Sequence, residues 1–136
     1  MTTTLYLSLV SNLGDKRRNL LDAIGLISQR VGTVARMSSF VETKPWGFES
    51  DNTFLNACIA VDTPLSPQCA LKTTQQIERQ LGRTRKSDGT YHDRTIDIDL
   101  LLYGGATVEE TNLKIPHPLM GQRPFVVEPL NEIKPK

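Results

Sequence analysis

Residues Leu5-Tyr6-Leu7-Ser8-Leu9-Val10 form a short run that is apolar on both faces an extended chain would present. A strand of that kind belongs in the middle of a sheet, with neighbours on either side. The rest of the chain supplies those neighbours. Asp15 is placed to cap a helix in which Leu20, Ile24, Ile27 and Val31 recur at helical spacing, and Gly32 marks its C-terminal stop. Gly25, inside that helix, suggests close packing against the sheet. Thr33–Thr43 and Phe54–Thr63 read as strands joined by a loop, Lys44–Thr53. Ser66-Pro67 opens a second helix whose Leu71, Thr74, Ile77 and Leu81 face one way until Gly82. A strand over Thr95–Tyr103 follows, then short strand-like pieces around Val108 and Leu113–Ile115, and a last one at Phe125–Val127.

The order strand, helix, strand, strand, helix, strand predicts an α+β, ferredoxin-like βαββαβ fold with additional C-terminal strands. In that fold an antiparallel sheet carries its helices mainly on one face and leaves the other to ligands. No repeat or linker divides the 136 residues, so one domain, 1–136, is expected. A net charge of +1 gives no support to a general polyanion binder, and any phosphate affinity must come from local basic clusters. Cys58 and Cys69 lie too far apart for a CxxC motif and read as reduced thiols. With no export signal in Met1–Val10 and no membrane-length apolar stretch, a cytoplasmic protein is expected.

The most informative segment is Arg94-Thr95-Ile96-Asp97-Ile98-Asp99-Leu100. In a strand Asp97 and Asp99 share one face while Ile96, Ile98 and Leu100 turn to the core. Two carboxylates about 6.6 Å apart at the backbone repel unless cations or protons intervene. Magnesium meets that need and keeps coordination positions for water and phosphate. A solvated strand face would give the same alternation. Just before it, Arg83, Arg85, Lys86 and Arg94 bracket the turn-forming Ser87-Asp88-Gly89-Thr90. Guanidinium groups there suit a polyphosphate, although a charge-balanced surface loop has the same composition. His117 between Pro116 and Pro118, with Arg123 nearby, offers a second phosphate contact. Phe54 and Asn56 share one strand face and combine an aromatic ring with an amide, as a flat heterocycle requires.

Read in order, the chain contains Ser11-Asn12-Leu13-Gly14-Asp15, Thr43-Lys44-Pro45-Trp46-Gly47 and Phe54-Leu55-Asn56-Ala57. It continues with Ile77-Glu78, Gly82-Arg83-Thr84-Arg85, Arg94 to Leu101, Pro116-His117-Pro118 and Arg123-Pro124-Phe125. In this combination it resembles the 6-hydroxymethyl-7,8-dihydropterin pyrophosphokinase family along nearly its whole length. The resemblance implies transfer of the diphosphate of ATP, the co-substrate, to the pterin hydroxymethyl group in folate biosynthesis, with release of AMP. It further implies two Mg2+ ions on Asp97 and Asp99, and charge stabilisation by Arg83 and Arg94. Arg85, Lys86, His117 and Arg123 would contact phosphates. Gln75 and Glu78 would lie on the nucleotide side, Glu78 mainly orienting its neighbours, and Ile98, Asn112 and Lys114 would line the adenine and ribose. The pterin would lie between Phe54 and Phe125, read by Asn56 and by backbone near Thr43 and Trp46, with Tyr91 closing over it. Partners would be these two substrates alone, with no nucleic acid or membrane, and the protein a monomer.

The sequence departs from that pattern at Val10, where glycine is usual, at Thr90, Tyr91 and Pro118, and in its early end after Pro129-Leu130. Two other classes are weighed against it. An RNA-binding module would show an aromatic-rich strand and a wider basic surface, both missing here. A two-metal phosphohydrolase would release phosphate from ATP without an acceptor.

Overall fold

The computed structural model describes residues 2–43, 53–82, 95–118 and 124–133, without the side chains of Pro124 and Phe125. The order is β1 (Thr3–Ser11), α1 (Lys16–Arg30), β2 (Thr33–Met37), β3 (Val41–Thr43), β4 (Phe54–Thr63) and α2 (Pro67–Gln80). Then come β5 (Asp97–Tyr103), β6 (Val108–Glu110), β7 (Leu113–Ile115) and α3 (Pro124–Ile133). The main sheet runs β2-β4-β1-β5, with β3 also on β4, and each pairing is antiparallel. The first strand is central, as its two apolar faces require. β6 and β7 form a separate two-stranded sheet.

One sheet face meets α1 and α2. Leu5, Leu7 and Leu9 of β1 and Ala57, Ile59 and Val61 of β4 pack there against Leu20, Ala23, Ile27 and Val31 from the α1 side. From the α2 side come Ala70 and Ile77, and from the β5 segment Ile96, Ile98 and Leu100. Each fully buried Leu or Ile contributes about 1.5–3 kcal/mol relative to an exposed one. Both helices start on side-chain caps. The Asp15 carboxylate accepts from the Arg18 N–H at 3.1 Å, and the Ser66 hydroxyl from the Cys69 N–H at 3.2 Å.

Four expectations change. Phe125–Val127 is not a strand but the first turn of α3, because Val126, Leu130 and Ile133 are buried at helical spacing. α3 covers part of the second face, packing on Tyr6, Cys58, Ala60 and Leu101, so that face is only partly left to ligands. Thr33–Thr43 is two strands rather than one. The Ser38 hydroxyl accepts from the Cys58 N–H at 2.9 Å and takes the place of a ladder carbonyl, which breaks the strand before β3. Gly25 is exposed, with nothing near the position of a Cβ, so sheet packing is not its reason.

Gly32 is required by proximity rather than by an unusual φ. A Cβ at that position would overlap the Asp62 carbonyl of the adjacent strand. Gly32→Ala should therefore destabilise the fold by about 1–3 kcal/mol, read by urea unfolding. A second outcome concerns Cys58, whose thiol burial pushes up to about 12 despite a hydrogen bond with Ser8. The folded chain keeps this proton where the unfolded chain, at the ordinary 9.0, releases it. Its contribution to stability is complete below that value and is lost as pH rises towards 12. At neutral pH a thiol reagent should label exposed Cys69 quickly and Cys58 only on unfolding.

Candidate active site

The site is organised by the cross-strand register. Val10 of β1 is paired with Asn56 on one side and Asp97 on the other, and Asn56 is paired with Val41. Directly opposed residues project from the same face, so Asp97, Val10 and Asn56 form one row across the sheet, beyond the part covered by α3. At strand spacing the outer two are about 9–10 Å apart at the backbone. Asp99 shares the face of Asp97. Both are half-buried, while Ile96, Ile98 and Leu100 between and around them are buried on the helical side.

β5 is an edge strand, and its outer edge is covered. The Ile98 N–H, on the residue between the two aspartates, donates to the Glu78 carboxylate of α2 at 2.7 Å. The His117 N–H donates to the Leu101 carbonyl at 3.0 Å. Glu78 is buried, so this charge-assisted bond is made away from solvent and fixes α2 against the strand that carries the carboxylates.

Beside β5 lies a cavity of about 260 Å³. Ile98, Asp99 and Leu100 form one wall, Leu71 of α2 another, and Thr111, Asn112, Leu113 and Lys114 of the β6–β7 hairpin a third, with His117 and Pro118 at the end. Leu71, Ile98, Leu100 and Leu113 offer this cavity apolar contact for a flat ring, and Asp99, Asn112, Lys114 and His117 offer polar contact for charged oxygens.

On β4, Asn56 is almost fully buried at 1% exposure. Its Nδ2 donates to the Val41 carbonyl at 3.0 Å, the Thr43 hydroxyl at 2.8 Å and the Phe54 carbonyl at 3.4 Å. Those carbonyls fix the amide orientation, since the reverse would set oxygen against oxygen. Oδ1 is then a buried acceptor with no partner among the described residues. Left so, it costs about 1–3 kcal/mol, which a ligand N–H would relieve. Phe54 is buried on the same strand face.

Of the residues expected from sequence, Ile98, Asp99, Asn112, Lys114 and His117 come together around the cavity, and Thr43, Phe54 and Asn56 around the amide. Asp97 stands in the row between these two places. Gln75 is exposed on α2 and does not line the cavity. Trp46, Arg83, Arg85, Lys86, Tyr91, Arg94, Arg123 and the Phe125 side chain lie outside the described residues. Leu71 and Thr111 were not anticipated. Leu71 belongs to the apolar stripe of α2 and reads as core by period alone. Val10 was noted for its identity, but its place in the row depends on register.

Removing the Glu78 carboxylate would leave the Ile98 N–H buried and unpaired. Glu78→Ala should cost about 1–3 kcal/mol in unfolding free energy. Glu78→Gln, which keeps an acceptor, should cost less in the same denaturant titration.

The model of the family described as 7,8-dihydro-6-hydroxymethylpterin-pyrophosphokinase matches residues 6–135. A 2-amino-4-hydroxy-6-hydroxymethyldihydropteridine pyrophosphokinase of Porphyromonas gingivalis is 51% identical over 133 residues, covering 96% of this chain and 90% of the relative. One from Bacillus subtilis is 42% identical over 134 residues, covering 98% and 79%. In fold, the chain is similar to an HPPK-DHPS crystal structure in complex with substrates, at a TM-score of 0.78 and 15% identity. That match covers 98% of this chain and 40% of the larger one. The wild-type Plasmodium falciparum HPPK-DHPS structure gives a TM-score of 0.76 at 15% identity, over 97% of this chain and 41% of its own. The family match over nearly all residues, and the identity to relatives of similar length, place this chain in the 7,8-dihydro-6-hydroxymethylpterin-pyrophosphokinase family.

Proposed function

We propose that the two ends of the Asn56–Val10–Asp97 row are the two halves of one transfer site, pterin at Asn56 and nucleotide in the cavity beside β5. As a pyrophosphokinase of folate biosynthesis, the chain moves the diphosphate of ATP onto 6-hydroxymethyl-7,8-dihydropterin. The pterin hydroxymethyl oxygen bonds to the β-phosphorus, the bond from that phosphorus to the α-phosphate oxygen breaks, the hydroxyl proton is lost, and AMP leaves. The observation that carries the reading is the unpaired Asn56 Oδ1, an acceptor set for a ring N–H on the same sheet row as Asp97.

The residues present fit magnesium. Two carboxylates on one strand face, one of them in the cavity wall, are hard oxygen donors that leave room for phosphate oxygens and water. Bound there, one or two Mg2+ ions would neutralise phosphate charge and polarise the transferred group. Asp97 and Asp99 would hold the metal; Ile98 and Leu71, in the cavity wall, would bracket the base, and Asn112 and Lys114 would meet the ribose side. His117, which lines the same cavity, would meet a phosphate oxygen. Glu78 orients β5, with Gln75 further along the same helix. Arg83 and Arg94 stabilise charge during transfer. Arg85, Lys86 and Arg123 add phosphate contacts, while Trp46, Tyr91 and Phe125 complete the pterin pocket with Thr43 and Phe54. The chain 1–136 acts as one domain, as a monomer and in the cytoplasm. Among the described residues no helix is long and apolar enough to cross a membrane.

The test is AMP release from ATP, magnesium and the hydroxymethylpterin. Asp97→Asn and Asp99→Asn should each lower turnover roughly hundredfold or more. Without magnesium, their unfolding free energy should be unchanged or slightly higher, because like charges have been removed. Near-normal AMP release by either folded variant would rule out the carboxylate assignment. Phosphate release independent of the pterin would instead indicate a hydrolase.

A further inference from the structure

Lys16 stands at the first position of α1, followed by Arg17 and Arg18, and the first turn holds no acidic residue. The positive end of the helix dipole disfavours cations at that place. A local preference broken in this way needs a compensating contact elsewhere. Lys16 has one. Its Nζ donates to the Thr53 hydroxyl at 2.8 Å, the Glu42 carboxylate at 3.2 Å and the Thr53 carbonyl at 3.3 Å, which uses all three ammonium protons. Its side chain is only 25% exposed. A hydrogen bond with Thr53, followed by a hydrogen bond with Lys16 and the attraction of its charge, holds the Glu42 carboxyl below the usual carboxylate range.

The partners bound by Lys16 flank the pairing that shapes the Asn56 amide. Glu42 is the middle residue of β3, and Thr53 immediately precedes β4. β3 has only three residues, paired Val41 to Asn56, Glu42 to Leu55 and Thr43 to Phe54. So short a strand is weakly fixed by its own ladder. Yet it supplies both the Val41 carbonyl and the Thr43 hydroxyl that turn Nδ2 inward and leave Oδ1 available. We infer that Lys16 is a positioning residue for pterin recognition, an ammonium clamp that holds β3 against the start of β4 and so aims the Asn56 amide. The inference rests on the reading of Asn56 as the pterin contact.

Calorimetric titration of the full chain, with a non-reactive pterin analogue and separately with magnesium and a non-hydrolysable ATP analogue, tests it. Lys16→Met keeps the stem and removes the donors. It should weaken pterin binding about five- to tenfold. The nucleotide site shares none of these contacts, so its affinity should stay within about twofold. Lys16→Arg should recover most of the pterin affinity. Thr53→Val, which deletes only the hydroxyl, should move pterin binding in the same direction by less. Asn56→Ala serves as the reference and should lose roughly tenfold or more. Unchanged pterin binding in Lys16→Met, beside a clear loss in Asn56→Ala, would overturn the clamp alone. Equal losses for both ligands would overturn it too, since that is general loosening. If Asn56→Ala binds the pterin normally, the reading of the pterin site fails and the clamp fails with it.

Discussion

The backbone ladder on the two sides of β1 governs this structure. β1 pairs with β4 from Thr3 to Ser11 and with β5 from Leu5 to Val10, with one register shift on the β5 side between Tyr6 and Leu7, so two segments distant in sequence are aligned through one strand. Side chains on β1 fill the core on one face and, through Tyr6, meet α3 on the other. The ladder is what brings Asp97, from one part of the chain, level with Asn56, from another. It also turns both to the face away from α1 and α2. A slip of one residue along β1 would send its apolar set outward and break the row that Val10 makes with Asn56 and Asp97, so burial of Leu5, Leu7 and Leu9 protects that geometry.

Much of this was legible in the chain because period-two and helical patterns survive without tertiary context. Asp97 and Asp99 alternate with Ile96, Ile98 and Leu100, and the structure turns them to opposite faces as that alternation demands. Phe54–Thr63 keeps the bounds read from its apolar run. The misreadings have definite causes. Three consecutive apolar residues at Phe125–Val127 carry no period by themselves, and the helical one emerges only with Leu130 and Ile133. The break between β2 and β3 depends on a hydroxyl, that of Ser38, competing with the backbone for the Cys58 N–H. Neither the absence of a partner for Asn56 Oδ1 among the described residues nor the place of Val10 between Asn56 and Asp97 could be read, because both depend on which strands are neighbours and in what register.

The β5 edge shows how one strand can carry acidic residues on its face and remain closed to other chains. An unpaired edge in a sheet invites strand addition. Here Glu78 takes the Ile98 N–H and His117 gives its own N–H to Leu101, so the edge is occupied from both ends without a further strand. His117 also lines the cavity beside β5, and Glu78 holds Ile98 in its wall, so edge protection and cavity construction are combined.

That economy has a mechanical consequence. Leu71 and Glu78 are two turns apart on α2, about 10.5 Å along a rod that does not stretch. One end forms a wall of the cavity, and the other is fastened to the backbone between the two carboxylates. Any outward push on Leu71 would lever Glu78 from its buried amide and tilt the strand that bears both aspartates. The cavity is therefore stiff towards widening, and its width and the attitude of the acidic pair are set by a single strut.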